Sequence, residues 1–146
     1  MTRRRRRGWL VALAAFATLD AIVVALRQTG VIRRLPEPPG GIWDTNRVVT
    51  APVAYALGVP DAPVAAVTYL ALIGFALRLG GRSARRRPWS ALGLAAGTTG
   101  AAAGAAFYLW DMLAREKKLC PYCLGTATAT FTMLPLALSE ARELFA

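Results

Sequence analysis

The only two cysteines in this chain of 146 residues, Cys120 and Cys123, are separated by Pro-Tyr. Thiols at this spacing can close and open a small disulfide ring. At the start of a helix, unpaired N–H groups and the positive end of the dipole favour the thiolate form. Pro121 suits the first helical turn, where a missing N–H costs little. The chemistry on offer is thiol–disulfide exchange, by thiolate attack through a mixed disulfide. Two other readings stay open. One is a static disulfide, although structural disulfides usually close longer loops; the other is a pair of idle buried thiols. The chain has no histidine, which removes imidazole acid–base chemistry and ligation by His. Two thiolates fill half of the four-ligand shell of structural zinc, so no metal site is expected unless two chains share one. Leu124 after Cys123 excludes haem attachment through Cys-x-x-Cys-His.

The elements that must position this pair look like membrane helices. The chain is 55% hydrophobic with a mean hydropathy of +0.40, too apolar for an ordinary soluble domain, and its length predicts a single domain over 1–146. Its net charge of +10 raises the question of nucleic acid. Two arginine blocks, 3–7 and 78–87, each sit beside a long apolar run with no interleaved aromatics, so no nucleic-acid partner is expected.

Four apolar segments are long enough to cross a bilayer: residues 9–26, 62–79, 89–110 and 119–138. The first follows five arginines as a signal peptide would, but lacks a small-x-small cleavage site and is read as a retained helix. Asp20 inside it is unusual, because a carboxyl in hydrocarbon is costly unless it faces protein or water. The connector at 27–60 is broken by Pro36, Pro38, Pro39, Gly40 and Gly41. Its apolar stretch 48–57 is too short to span and predicts a half-helix in the interface, with Tyr55 at headgroup depth. Gly93, Gly97, Gly100 and Gly104 predict close helix packing along the third span.

Four spans place both termini on one side. Eleven basic residues fall in the amino-terminal segment, the second connector and the tail, against seven in the other two connectors. The termini are therefore expected in the cytoplasm, with Cys120-Pro-Tyr-Cys123 opening toward the outside, where disulfides persist.

In this context the chain resembles the vitamin K epoxide reductase-like (VKOR) family of membrane thiol oxidoreductases. The resemblance covers about residues 9–138. It rests on Thr50-Ala51-Pro52-Val53-Ala54-Tyr55-Ala56-Leu57-Gly58-Val59-Pro60 before the second span, on Tyr69 and Tyr108, and on Leu119-Cys120-Pro121-Tyr122-Cys123-Leu124. It implies an all-α integral membrane four-helix bundle that carries electrons from an extracytoplasmic thioredoxin-fold dithiol protein to a membrane quinone of the ubiquinone or menaquinone class. Cys123 would face the quinone, and Cys120, nearer the surface, would exchange with the partner thiol. Thr50 would supply a hydroxyl near the pair, or be an interfacial turn residue. Asp61 would be a polar contact to the quinone, or a helix cap. One departure matters. The family usually carries a second cysteine pair ahead of the Thr50 position, and here residues 42–49 contain none. Either a partner thiol reaches the membrane pair directly, or the chain is a degenerate relative that binds a partner and keeps its cysteines as a structural clip.

Overall fold

A computed structural model describes residues 1–146. It is all-helical, with four long helices and one short one: α1 (Arg3–Gln28), α2 (Thr45–Val49), α3 (Asp61–Leu79), α4 (Pro88–Asp111) and α5 (Pro121–Phe145). α1 and α4 each pack against both α3 and α5, so the long helices form a closed ring. Proline opens two of them at the first position, Pro88 in α4 and Pro121 in α5, where the fixed φ is already helical.

The core is a stripe of small residues and leucines. On α3 the buried positions are Ala62, Ala66, Tyr69, Leu72, Ala76 and Leu79, spaced by three or four residues as one helical face requires. Ala14, Ala17 and Ala21 do the same on α1. The outward faces are apolar too: Phe16, Leu19 and Ile22 on α1 and Val67, Leu70 and Leu77 on α3 are exposed. A helical protein in water does not present so much contiguous apolar surface.

α1, α3 and α4 with its continuation to Glu116 are long and apolar enough to cross a membrane; α5 is long enough but falls short in apolarity. The reason is compositional. Four threonines at 126, 128, 130 and 132 and the charged trio Glu140, Arg142 and Glu143 dilute it. The expected half-helix over 48–57 is broken in two. α2 stops at Val49 and a separate 3-10 turn runs Pro52–Tyr55. Pro52 forces the residue before it out of helical geometry, and Ala51 duly has φ −62° and ψ 154°.

One end of the molecule collects the arginine blocks. Arg7, the last of the five arginines ahead of the first span, is buried inside α1. Its Nη2 and Nε donate to Glu140 of α5 at 2.6 and 3.1 Å, and its Nη1 donates to the carbonyls of Leu79, Gly80 and Arg82 at 3.3, 2.7 and 2.6 Å. One guanidinium thus binds carbonyls at and just beyond the end of α3 and neutralises a fully buried carboxylate. Arg6 adds bonds to Glu140 and Glu143 at 2.7 and 2.6 Å.

Candidate functional site

The cysteine pair lies at the opposite end. Cys120 is the N-cap residue of α5, in an extended conformation, and its Sγ accepts the Cys123 N–H at 3.2 Å. A sulfur in that position receives the bond that a capping oxygen usually receives, so the helix start itself favours negative charge on Cys120.

The first connector folds over the pair. Ile42 and Asp44 bond to Leu119 on both sides (Leu119 N–H to the Ile42 carbonyl at 2.7 Å, Asp44 N–H to the Leu119 carbonyl at 3.1 Å), and Lys118 Nζ donates to the Gly41 carbonyl at 2.5 Å. Asn46 holds the connector's own shape. Its Oδ1 accepts from Leu35 N–H and from Arg27 Nε, and its Nδ2 donates to the Leu35 carbonyl. A π turn over Met112–Glu116, ended by Lys117 at φ 52°, brings the chain from α4 into this contact. Cys120 is consequently 0% exposed, packed with Val24, Leu35, Val49, Ala62 and Met112. The family resemblance implies a Cys120 nearer the surface than Cys123; here Cys120 is sealed from solvent and Cys123 opens to a cavity. The cover comes from chain distant in sequence, which position along one helix does not reveal.

Cys123, by contrast, lines a cavity of about 630 Å³ between the long helices, within the range of small-molecule sites. Most of its wall is apolar, from Val24, Val49, Ala65, Ala101, Phe107 and Met112 among others, with a few polar groups from Asp20, Gln28, Asp61, Tyr69, Tyr108 and Thr126. The glycine row of α4 divides here. A Cβ on Gly93 or Gly97 would meet Phe75 or Leu72 at 2.8 Å, whereas one on Gly100 or Gly104 would meet nothing within 4 Å. The first two let α3 approach; the last two line the cavity.

Of the residues proposed from the sequence, the structure brings Cys123 and Asp61 to this cavity and leaves Thr50 outside its lining. The Thr50 hydroxyl turns back to the Asn46 carbonyl at 2.5 Å, at the C-cap of α2. Asp61 opens α3 and accepts from Gln28 Nε2 at 2.6 Å, while Gln28 Oε1 accepts the Ala62 N–H at 3.0 Å. Gln28, which no motif singles out, is the residue that ties the end of α1 to the start of α3. A second polar row links Tyr69 on α3 to Thr130 on α5 at 2.6 Å. The Thr130 proton goes to the Thr126 carbonyl, so the Tyr69 O–H donates.

A family model described as the vitamin K epoxide reductase family matches residues 8–138. The chain belongs to that family. No curated protein matches it. Membership of the vitamin K epoxide reductase family points to a membrane thiol oxidoreductase, and the family is known for quinone-type substrates. The cavity suits such a group. Its apolar wall accepts an uncharged ring, and the polar groups of Asp61 and Tyr108 lie in the same lining.

Proposed function

We propose that this protein is a membrane thiol:quinone oxidoreductase, re-oxidising extracytoplasmic dithiols through Cys120 and Cys123. The observation that carries the reading is the division of labour at the pair: Cys120 caps α5 beneath the connector, and Cys123 lines an apolar cavity large enough for a quinone ring.

The chemistry balances in two stages. A partner thiolate attacks Cys120 Sγ of the Cys120–Cys123 disulfide, and Cys123 leaves as thiolate. The partner's second thiol then displaces Cys120, leaving the partner oxidised and the pair reduced. Re-forming the Cys120–Cys123 bond releases two electrons and two protons, which a bound quinone accepts. In this reading Asp61 and Tyr108 orient the ring, and the apolar wall keeps water from the sulfurs.

The whole chain acts as one membrane domain with α5 as its fourth span. Threonine hydroxyls in α5 return to their own helix, Thr128 to the Leu124 carbonyl, Thr130 to Thr126 and Thr132 to Thr128. Residues that satisfy themselves in this way cost a bilayer less than their hydropathy suggests. The arginine end faces the cytoplasm by the positive-inside rule, and the cysteine end faces outward, with the exposed Leu57 and Val59 at the interface.

The test is a thiol count. Purified protein, reduced without oxygen, is mixed with a short-chain ubiquinone analogue. Both thiols should disappear together as one equivalent of hydroquinone forms; persistence of both would refute the reading. One observation favours a second reading, a partner-binding protein with a structural pair: Cys120 is fully buried, among Val24, Leu35, Val49, Ala62 and Met112. Under that reading the pair stays unreactive to both quinone and partner.

A further inference from the structure

Asp20 takes no part in the chemistry above, yet its surroundings are specific. It stands on α1 eight residues before the end at Gln28, a depth of about 12 Å at 1.5 Å per residue. It lines the main cavity together with Cys123, Tyr69 and Thr126, and it also lines a second, open cleft of about 400 Å³ formed with Pro36, Glu37, Pro38, Pro121 and Tyr122. It is the only residue common to the two linings. One carboxylate oxygen, Oδ2, accepts a hydrogen bond from Thr126 Oγ1, one turn beyond Cys123 on α5; no protein donor reaches Oδ1. A carboxyl half-buried in an apolar helix is expensive and normally has a cationic partner or a task. The chain holds 18 lysines and arginines, and none lines either cavity.

We propose that Asp20 is the proton carrier between the outer cleft and the cavity at Cys123. The proposal rests on the thiol:quinone reading, in which closing the Cys120–Cys123 bond frees two protons while reduction of the quinone consumes two. Asp20 Oδ1 takes up one proton at a time, from the Cys123 thiol or from water in the cleft beside Glu37, and gives it up on the cavity side. Thr126 holds Oδ2 and so fixes the direction in which Oδ1 points. The titratable neighbours are Tyr69 and Asp61 on α3, Tyr108 and Asp111 on α4, Cys123 and Tyr122 on α5 and Glu37 in the connector; the Tyr122 hydroxyl is donated to the Pro36 carbonyl at 3.2 Å. Tyr69 is committed to Thr130 and Asp61 to Gln28, which leaves Asp20 as the acid open to both spaces.

The experiment compares the parent, Asp20→Asn and Asp20→Glu as full-length purified protein. The rate at which a short-chain ubiquinone analogue oxidises the dithiol is measured by stopped flow, with and without added formate. General acid–base groups contribute about 10²–10⁴-fold, so Asp20→Asn should slow oxidation by about a hundredfold or more. Formate, small enough to enter the cleft, should restore part of the rate, and Asp20→Glu should retain most of it. Independently of turnover, the infrared difference spectrum between dithiol and disulfide forms should contain a deuterium-sensitive carboxyl band that Asp20→Asn abolishes. A parent whose dithiol is not oxidised by the quinone sinks the thiol:quinone reading and this one with it. An oxidisable parent with an Asp20→Asn variant that is equally fast, or slow without rescue and with the carboxyl band intact, overturns the role of Asp20 alone.

Discussion

The two ends of this molecule are held together by different physics. At the arginine end, Arg7 and Glu140 meet inside the protein, both nearly without exposure, and every polar atom of the guanidinium has a protein acceptor. At the cysteine end the connector is held by backbone bonds to Leu119, by exposed charges (Lys118 on the Gly41 carbonyl, Arg47 on Glu116) and by the side chains of Asn46 and Gln28, around a cavity. A buried ion pair resists opening because either partner alone is stranded. A cover made of hydrogen bonds worth about 1 kcal/mol net each and an exposed ion pair worth about 0–1 kcal/mol can lift. The buried pair fixes the helices at one end, and the cysteine end is closed by weaker contacts.

The sharpest way to break this contrast is to remove one half of the buried pair. Glu140→Gln should destabilise the protein by about 3–5 kcal/mol, the cost of an uncompensated buried charge, read as a fall in the unfolding midpoint in detergent. A loss no larger than that of Asn46→Ala would mean that the ends do not differ. The glycine row supplies the next comparison. Gly97→Ala should cost about 1–3 kcal/mol by overpacking against the buried Leu72, whereas Gly104→Ala should leave the unfolding midpoint unchanged and weaken binding of a quinone analogue. Equal effects of both on stability would contradict the division of α4 into a packing half and a cavity half.

The cover over Cys120 can be sharpened rather than broken. Asn46→Ala removes the bonds that shape the connector and should raise the rate of Cys120 alkylation in the reduced protein by about tenfold, equivalent to about 1.4 kcal/mol. The same change in a Cys123→Ser background should increase the trapped mixed disulfide between Cys120 and an extracytoplasmic partner, seen on diagonal gels. An unchanged alkylation rate would leave the connector's role to other contacts. The smallest effect concerns acid. The hydrogen bond from Arg6 holds the Glu143 carboxyl below its ordinary value. A carboxyl lowered on folding stabilises fully above its unfolded value of about 4.3 and loses that contribution as the pH falls through its lower folded value. Glu143→Gln should therefore lower the unfolding midpoint slightly at pH 7, with the difference from the parent closing in strong acid.

What the sequence made legible was whatever depends on neighbours along the chain. The apolar runs, Pro88 and Pro121 at helix starts, and Cys120 at the mouth of α5 are local signals, and the helices contain residues 9–26, 62–79 and 89–110 as expected. The fourth run begins two residues before its helix, because Leu119 pairs with the connector and Cys120 caps α5. What stayed hidden depends on who meets whom. Arg7 looks like one of five equivalent arginines until Glu140 arrives from 133 residues away. Cys120 looks near the surface until Val24, Leu35, Val49, Ala62 and Met112 close around it. Asp20 reads as an oddity until Thr126 and two cavities surround it.

The bare α4 surface at Gly100 and Gly104 has a consequence for selectivity. An apolar pocket discriminates weakly between ligands differing by one methylene, by about 1–3 kcal/mol, yet that margin is set wherever side chains are absent. Because a methyl group at either position would project into open space, the fold could shed or gain room for a ring substituent without disturbing the α3–α4 contact fixed by Gly93 and Gly97. A family built on this scaffold could drift among head groups of different bulk by single substitutions on one helical turn, leaving the cysteine chemistry untouched.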